Sequence, residues 1–282
     1  MPTSLLRASR PVPFSRLVQA GLVSAALLLA PGISFGATPT NASTAPRTAV
    51  APKAQPRVMA STSWVAAFAK AAGIRDVVLV APANLQHPPD YDPKPSDLAA
   101  IAQADYVLVA GFEGFAKRMK EASGSRAEVI NVQVDNQPAN IKKQVMALAE
   151  KFGTQAAATA WLARFDQRVA TLQKDIAAAM PQPKPRAVAQ VWMAYWAPFA
   201  SMELAGTYGP RPLTASDLAR VSALKPDVVL INAHVQGGHL FNDLHAKKIV
   251  LHNFPPADNI DLIAIFERNA QAIIEAMQAP KP

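Results

Sequence analysis

Residues 84–111 read NLQHPPDYDPKPSDLAAIAQADYVLVAG and contain, in order, a proline-rich loop, a short helix and an apolar strand. The prolines fix their own φ angles and bias the residues before them towards extended backbone, so the loop that carries His87 is stiff. Ser96 can cap a helix over 97–103, and the apolar run 106–110 is typical of a strand buried on both faces. A stiff loop at the end of a strand is where an open α/β sheet holds a ligand. We therefore expect this loop to present His87 to a binding site.

The alternation of strands and helices extends from this segment in both directions. Apolar runs predict strands at 57–60, 76–80 and 127–132. Helix-capping and helix-ending residues, together with apolar periodicity, predict helices at 64–72 and 112–121. Continuous apolar strands that alternate with helices indicate a parallel sheet covered by helices. We assign residues 57–137 to an N-terminal α/β lobe.

A second α/β unit is predicted after a long helical segment. Apolar residues recur at three- and four-residue steps over 138–180, interrupted mainly by Gly153, and predict a connecting helix that we assign to 138–182. The alternation then restarts after a proline-rich break, with strands at 187–193, 227–231 and 248–252 and helices at 199–205, after 214–217 and at 259–277. Residues 183–282 form the predicted C-terminal α/β lobe. The predicted fold class is α/β, with two parallel-sheet lobes joined by a long backbone helix.

The first 36 residues have the pattern of a cleavable signal peptide. Arginines without any acidic residue precede an apolar run over 17–30, which is too short for a membrane span and is followed by small residues. Residues 37–56 are rich in Ala, Thr and Pro and predict a disordered leader. The chain has no cysteine, which excludes disulfides and a lipid-modified cysteine. We predict a soluble periplasmic protein, secreted through this signal peptide, and expect a monomer.

Charge and motifs exclude two broad functions. The formal net charge is +8, but the basic residues alternate with acids and form no stripe with interleaved aromatic residues, so we predict no nucleic-acid binding. The sequence contains no nucleophile elbow, no phosphate-binding loop and no His-Glu-x-x-His motif, and cysteine nucleophiles are absent. We predict that the protein is not an enzyme.

The histidines are unevenly distributed, because His87 stands alone and the other four lie between 234 and 252. Neutral imidazole is a good ligand for zinc and similar ions. His234 and His252 follow predicted parallel strands, and Gly237-Gly238 lets His239 fold back towards His234. His87, His234, His239 and His252 are therefore candidate ligands of a tetrahedral, nitrogen-rich zinc site. The alternative is a solvated loop whose histidines contact nothing.

A dense aromatic cluster lies at the start of the predicted C-terminal lobe and contains Trp192, Tyr195, Trp196 and Phe199. One interpretation is plain core. The other is an apolar wall for a planar or chelated ligand such as haem, a corrinoid or a siderophore, since pockets for such ligands are lined by aromatic groups. Trp192, Tyr195 and Trp196 are candidate ligand-cleft residues on the second interpretation.

The segment 84–111 also resembles the signature of the periplasmic substrate-binding proteins of bacterial ABC transporters for zinc and manganese, the helical-backbone, TroA-like superfamily. The shared residues are His87, Tyr91, Pro93, Ser96 and Asp97 in the loop, followed by Ala104, Asp105 and Gly111 around the next strand. The resemblance implies that Zn²⁺ or Mn²⁺ is captured as the transported ligand in a cleft between the lobes, with Tyr91 at this cleft. It also implies delivery to an ABC permease in the inner membrane.

The chain departs from this family at the later ligand positions. The family's second ligand falls near Gln133 or Asp135, its third near Pro198, and its final acidic ligand near His252-Asn253. Three carboxylates are candidate replacement ligands: Asp135, Glu113 and Glu203. Capture of a metal ion, binding of a chelated metal in the same cleft, and metal storage by an accessory periplasmic protein all remain open at this point. A zinc hydrolase is a further alternative from a different class.

Overall fold

Two four-stranded parallel sheets organise the chain, which the computed structural model describes from residue 56 to residue 280. The predicted signal peptide, and the predicted leader up to residue 55, lie outside the described residues. The predicted fold class is confirmed, whereas the boundaries that we assigned to the lobes stay a prediction.

The first sheet is built from short strands that alternate with helices. Its strands are β1 (Val58–Ala60), β2 (Val77–Leu79), β3 (Tyr106–Val109) and β4 (Glu128–Asn131), and its helices are α1 (Ser63–Ala71), α2 (Pro95–Ile101) and α3 (Ala116–Ser123). The strands lie in the order β2-β1-β3-β4, with every pair parallel. All the carboxyl ends of these strands therefore meet at one edge of the sheet.

Two consecutive helices lead from the first sheet to the second. They are α4 (Pro138–Phe152) and α5 (Gln155–Ala179). The break falls at Gly153, whose φ of +69° is the left-handed conformation that ends helices and that glycine adopts readily. No helix within residues 56–280 is long and apolar enough to cross a membrane.

The second sheet repeats the plan of the first. Its strands are β5 (Arg186–Gln190), β6 (Glu203–Tyr208), β7 (Val228–Asn232) and β8 (Lys247–Leu251), and its helices are α6 (Trp196–Phe199), α7 (Ala215–Ala223) and α8 (Leu262–Gln278). The strands lie in the order β6-β5-β7-β8 and are again all parallel.

The prediction of a helix over 199–205 is wrong. The helix ends at Phe199, Ser201 adopts a left-handed φ of +59°, and residues 203–208 form the edge strand β6. Gly206, which follows the predicted helix directly, is a strand residue against which Leu224 packs. A Cβ at this position would lie only 2.8 Å from Leu224 Cδ1. The glycine therefore marks a close approach inside a strand, which is a common use of glycine there.

The inner faces of the two sheets share one apolar core. Val58 of β1 and Leu230 of β7 belong to the same contiguous cluster of buried side chains, together with residues of α1, α4, α5 and α8. The outer faces carry separate clusters, which contain Met59 in the first sheet and Val188 in the second. Alternate residues of the inner strands β1, β3, β5 and β7 thus point into different cores, as expected of strands buried on both faces.

Helix α5 connects the two halves through an aromatic stack. It packs against both α1 and α8. The rings of Trp161 and Phe165 are stacked with their centroids 5.1 Å apart, and Phe165 meets Phe266 of α8 edge-on at 5.2 Å. Arg168 of α5 also forms an ion pair with Glu267 at 2.6 Å. The helix is therefore part of the shared core rather than a free tether.

Replacing Phe165, which is fully buried, should test this core. Phe165→Ala is expected to lower the free energy of unfolding by about 3–5 kcal/mol, because it removes a ring and leaves a cavity. Phe112→Ala removes the same atoms from a side chain that is 54% exposed, and should cost about 1 kcal/mol or less. Urea denaturation followed by circular dichroism measures both. Equal losses in the two variants would contradict the assigned core.

Candidate functional site

A cleft of about 690 Å³ lies at the carboxyl ends of the strands and is lined by residues from both halves of the chain. The first half contributes the loop after β2 and the segments after β3 and β4. The second half contributes the segments after β5, β7 and β8. This is where parallel sheets hold ligands, because their loops converge at one edge.

His87 reaches the cleft from the loop after β2. A short 3-10 turn over 88–90 follows it, and the carbonyl of Pro89 accepts a hydrogen bond from the backbone of Gly114 at 3.1 Å. Asp90 Oδ2 lies 2.8 Å from His87 Nδ1. Since a carboxylate accepts, the Nδ1 atom carries the proton in this contact, and the Nε2 lone pair is left for another partner.

His234 reaches the same cleft from the end of β7. Its backbone N–H donates to Asn232 Oδ1 at 2.9 Å, and its ring Nδ1 lies 2.8 Å from the carbonyl oxygen of Gln86. Because a carbonyl can only accept, Nδ1 must be the protonated nitrogen, and Nε2 holds a free lone pair. That Nε2 atom is buried and has no hydrogen-bond partner within residues 56–280.

The surroundings keep the His234 ring neutral. Burial is the largest cause that lowers the pKa of His234, and electrostatic interactions with Arg268 and His87 lower it further. The hydrogen bond to Gln86 acts in the opposite direction but does not reverse the shift. A neutral imidazole with an unpaired Nε2 atom is the form that binds metal ions.

His252 lies beside His234 but does not line the cleft. Its ring centroid is 5.4 Å from that of His234 at an angle of 75°. Burial, followed by Arg268 and His234, lowers the pKa of His252 to about 4. The backbone of His252 is fixed on both sides by the Asn269 side chain at 2.8 Å.

His239 is exposed, and the structure does not bring it to the cleft. The reason lies in the glycines before it. Gly238 packs so closely on Ile231 that a Cβ on this residue would lie 2.8 Å from the Ile231 Cγ2 atom. The 3-10 turn over 238–241 therefore packs against the end of β7. Ligand roles for His239 and His252 stay predictions. Within residues 56–280, no group of three or more His, Asp or Glu side chains is arranged to hold a metal ion.

An aromatic wall, formed by Phe112, Trp64 and Phe254, runs along the cleft to His234. The centroid of Phe112 is 6.5 Å from that of Trp64, which is 5.2 Å from Phe254, and Phe254 lies 4.7 Å from His234. This wall was not predicted from the sequence. Its members come from separate segments, and the only available signal was their position after strand ends.

A polar link that begins at Trp64 of the wall ties the two halves together. Trp64 Nε1 donates to Asn136 Oδ1 at 2.8 Å, and Asn136 Nδ2 donates to the carbonyl oxygen of Asn253 at 3.0 Å. Trp64 belongs to α1 and Asn253 follows β8. Both asparagines are buried and were not predicted as site residues.

The predicted ligand-cleft residues divide between the site and the core. Trp192 lines the cleft and is 52% exposed. Trp196 is fully buried against Phe199 and Phe266, so the core interpretation describes its position. Tyr195 is also packed, and burial, with a smaller effect of Asp135, raises its pKa well above the usual value.

Tyr91 braces the loop rather than lining the cleft. Its hydroxyl donates to Asp97 Oδ2 at 2.7 Å, and its ring meets Phe115 edge-on at 5.9 Å. Asp97 also accepts from the backbone of Lys94 at 2.8 Å at the start of α2. The hydrogen bond to Asp97 is the largest cause that raises the pKa of Tyr91.

The three candidate replacement carboxylates have different surroundings. Asp135 lines the cleft and accepts from the backbone and side chain of Gln137 at 2.8 Å and 3.1 Å. Glu113 is buried, and it accepts from the Ser61 hydroxyl and from the backbone N–H groups that follow β3. Glu203 forms an ion pair with Arg186 at 3.5 Å. Among these three, Asp135 is the carboxylate that faces the cleft.

Two parallel α/β halves, joined by long helices and holding a cleft at their strand ends, define the fold of periplasmic metal-binding substrate-binding proteins. The SBP FpvC from Pseudomonas aeruginosa, solved in complex with Mn²⁺, is similar with a TM-score of 0.61 at 19% identity, over 79% of this chain and 98% of that one.

Two further solved structures share the fold. The periplasmic metal-binding protein from Candidatus Liberibacter asiaticus matches with a TM-score of 0.59 at 14% identity, over 79% of this chain and 99% of that one. The laminin-binding protein Lmb of Streptococcus agalactiae, a bifunctional protein with adhesin and metal-transporting activity, matches with a TM-score of 0.61 at 14% identity, over 79% and 100%. No protein-family profile and no curated protein matches the chain. The predicted resemblance is thus confirmed at the level of the fold.

The metal-free protein should lose stability as the pH falls from 6.5 to 4. In this range His252 takes up a proton in the unfolded chain, where its pKa is near 6.5, but not in the folded protein, where the pKa is about 4. The unfolded state therefore binds more protons, and the free energy of unfolding rises with pH across this window. His252→Gln should make this dependence shallower. Urea unfolding at pH 5 and pH 7.5 compares the two proteins, and identical pH dependences would contradict the assignment.

Proposed function

We propose that this protein is a periplasmic substrate-binding protein that captures a transition-metal ion in the cleft, with zinc as the expected ion and manganese as the alternative. In this proposal an ABC permease of the inner membrane receives the metal. The observation that carries the proposal is the pair of histidines, His87 and His234, which approach one cleft from opposite halves with protonated Nδ1 atoms.

The hydrogen bonds of the two rings support a ligand role. Histidines that bind metals usually donate the other ring N–H to a carboxylate or a backbone carbonyl, which fixes the tautomer and the ring orientation. The Asp90 carboxylate accepts such a hydrogen bond from His87, and the carbonyl oxygen of Gln86 accepts one from His234. The unpaired, buried Nε2 atom of His234 is a costly arrangement unless the atom has a ligand.

The donor chemistry favours zinc over manganese. Imidazole nitrogen suits zinc, whereas manganese prefers carboxylate and water oxygens. Asp135 is the nearby carboxylate that could add an oxygen, although Gln137 already donates two hydrogen bonds to it. The proposed site is therefore nitrogen-based, with Asp135 as the candidate oxygen donor for manganese.

Capture would couple to closure of the cleft. A metal bound to His87 and His234 gains contacts from both halves only when the halves are close, so it stabilises the closed arrangement. The bond from His234 to Gln86 already joins the halves at this point. Because the core is continuous between the sheets, we expect a small opening movement rather than a wide hinge.

His87→Ala and His234→Ala should each lower zinc affinity by more than the ~10–100-fold that loss of an outer hydrogen-bond partner costs. The loss of affinity in Asp90→Ala should fall within that range, because this substitution removes the hydrogen-bond acceptor of His87 and leaves the ring in place. Competition with a chromophoric zinc chelator in metal-free buffer measures the affinities.

His245→Ala is the matched control for these variants, because His245 is exposed and does not line the cleft. It should bind zinc as the unaltered protein does. The proposal is overturned if His87→Ala and His234→Ala also retain the unaltered affinity while remaining folded by circular dichroism.

Export provides a separate test of the cellular role. The full chain, expressed in a Gram-negative host, should be recovered from the periplasmic fraction with its first residue near 37, because residues 1–36 have the pattern of a signal peptide. Mass spectrometry of the purified protein gives the new terminus, and elemental analysis gives the metal. Recovery of the unprocessed chain from the cytoplasm would contradict the periplasmic role.

A further inference from the structure

We propose that the metal enters the cleft as a complex with a planar, bidentate organic chelator, whose face contacts Phe112 and Trp192 while His87 and His234 complete the coordination of the metal. This inference rests on the proposed function and names the class of substrate. It depends on the size of the cleft, the number of protein donors and the position of exposed aromatic rings.

The cleft is much larger than a bare ion requires. Its volume of about 690 Å³ corresponds to about twenty water molecules at ~30 Å³ each. Clefts of about 300–1,000 Å³ are typical of sites for organic ligands. A zinc ion on two imidazoles would leave most of this space to solvent, whereas a metal chelate would occupy it.

The donors of the protein leave coordination positions for a second molecule. Zinc in proteins is usually four-coordinate and tetrahedral. Within the part of the chain that the structure describes, no third His, Asp or Glu joins His87 and His234 in a group arranged to hold a metal. Two positions therefore remain, and a bidentate chelator fills two.

The cleft also presents aromatic surface from both halves. Phe112 follows β3 and is 54% exposed, and Trp192 follows β5 and is 52% exposed. Both line the cleft, and Val191 beside Trp192 is also partly exposed there. From Phe112 the aromatic wall continues to His234, so a flat ligand against the wall would have one end at the metal-binding histidine. A hydrated ion gains nothing from such a surface, whereas an aromatic chelator stacks on it.

The test compares zinc alone with an equimolar mixture of zinc and 1,10-phenanthroline, a planar bidentate chelator. We expect the protein to bind the zinc–phenanthroline complex at least about tenfold more tightly than zinc alone, as stacking adds to coordination. Zinc and phenanthroline should elute with the protein in equal amounts on gel filtration. Isothermal titration calorimetry gives both affinities.

Variants separate the aromatic contacts from the coordination. Trp192→Ala and Phe112→Ala should each lower the affinity for the complex by about 3–10-fold, and by a larger factor than they lower the affinity for zinc alone. Leu204→Ala is the matched control, because Leu204 is 40% exposed on the edge strand β6 outside the cleft, and it should change neither affinity. Thermal melting confirms that each variant is folded.

The outcomes distinguish the two proposals. If zinc binds through the histidines but phenanthroline merely removes it from the protein, the chelator proposal is overturned and the proposed function stands. If the complex binds and neither aromatic variant weakens it, the assigned aromatic contacts are overturned. If neither zinc nor its phenanthroline complex binds, both proposals are overturned.

Discussion

The shared apolar core between the two sheets is the constraint on which the rest of the structure depends. Helices α1, α5 and α8 fill the space between the inner faces, and Phe165 and Phe266 meet there edge-on at 5.2 Å. Protein cores are packed as densely as organic crystals, so elements within one core cannot shift far without opening cavities. The loops that end the strands of both sheets are therefore held in a nearly fixed relation, and the cleft exists because the core lies beneath it.

This constraint explains the hydrogen bonds at the cleft. Only a fixed spacing allows the carbonyl of Gln86, from the first half, to meet His234 of the second half at 2.8 Å. The link from Trp64 of the aromatic wall through Asn136 to Asn253 spans the same boundary. Buried polar groups are costly unless they are paired, so these links favour one relative placement of the halves over all others. The neutral tautomer of His234 follows from that placement and not from its own sequence neighbours.

The strands, most helices and the loop of His87 could be predicted, because caps, prolines and apolar runs are local signals. The edge strand over 203–208 could not be predicted from local signals. Gly206 is required there by its close contact with Leu224, a residue of a later segment of the chain. His87 and His234 were predictable as cleft residues because both follow parallel strands. His239 was predicted to join them, but the packing of Gly238 on Ile231 turns that segment away. The aromatic wall escaped prediction because only the folded chain brings its rings together.

A site with two protein donors is consistent with a protein that must release what it binds. In the proposed site each half would contribute one imidazole, so a small opening movement would leave the metal with a single protein ligand and a much weaker hold. A cage of four protein ligands would make a structural site, in which the metal contributes to folding and is not readily given up. When the remaining ligands travel with the metal, the protein loses few bonds on release, and the aromatic wall can still provide selectivity. If the protein delivers a metal as proposed, the small number of histidines at the cleft is a requirement of delivery, and not a deficiency of the site.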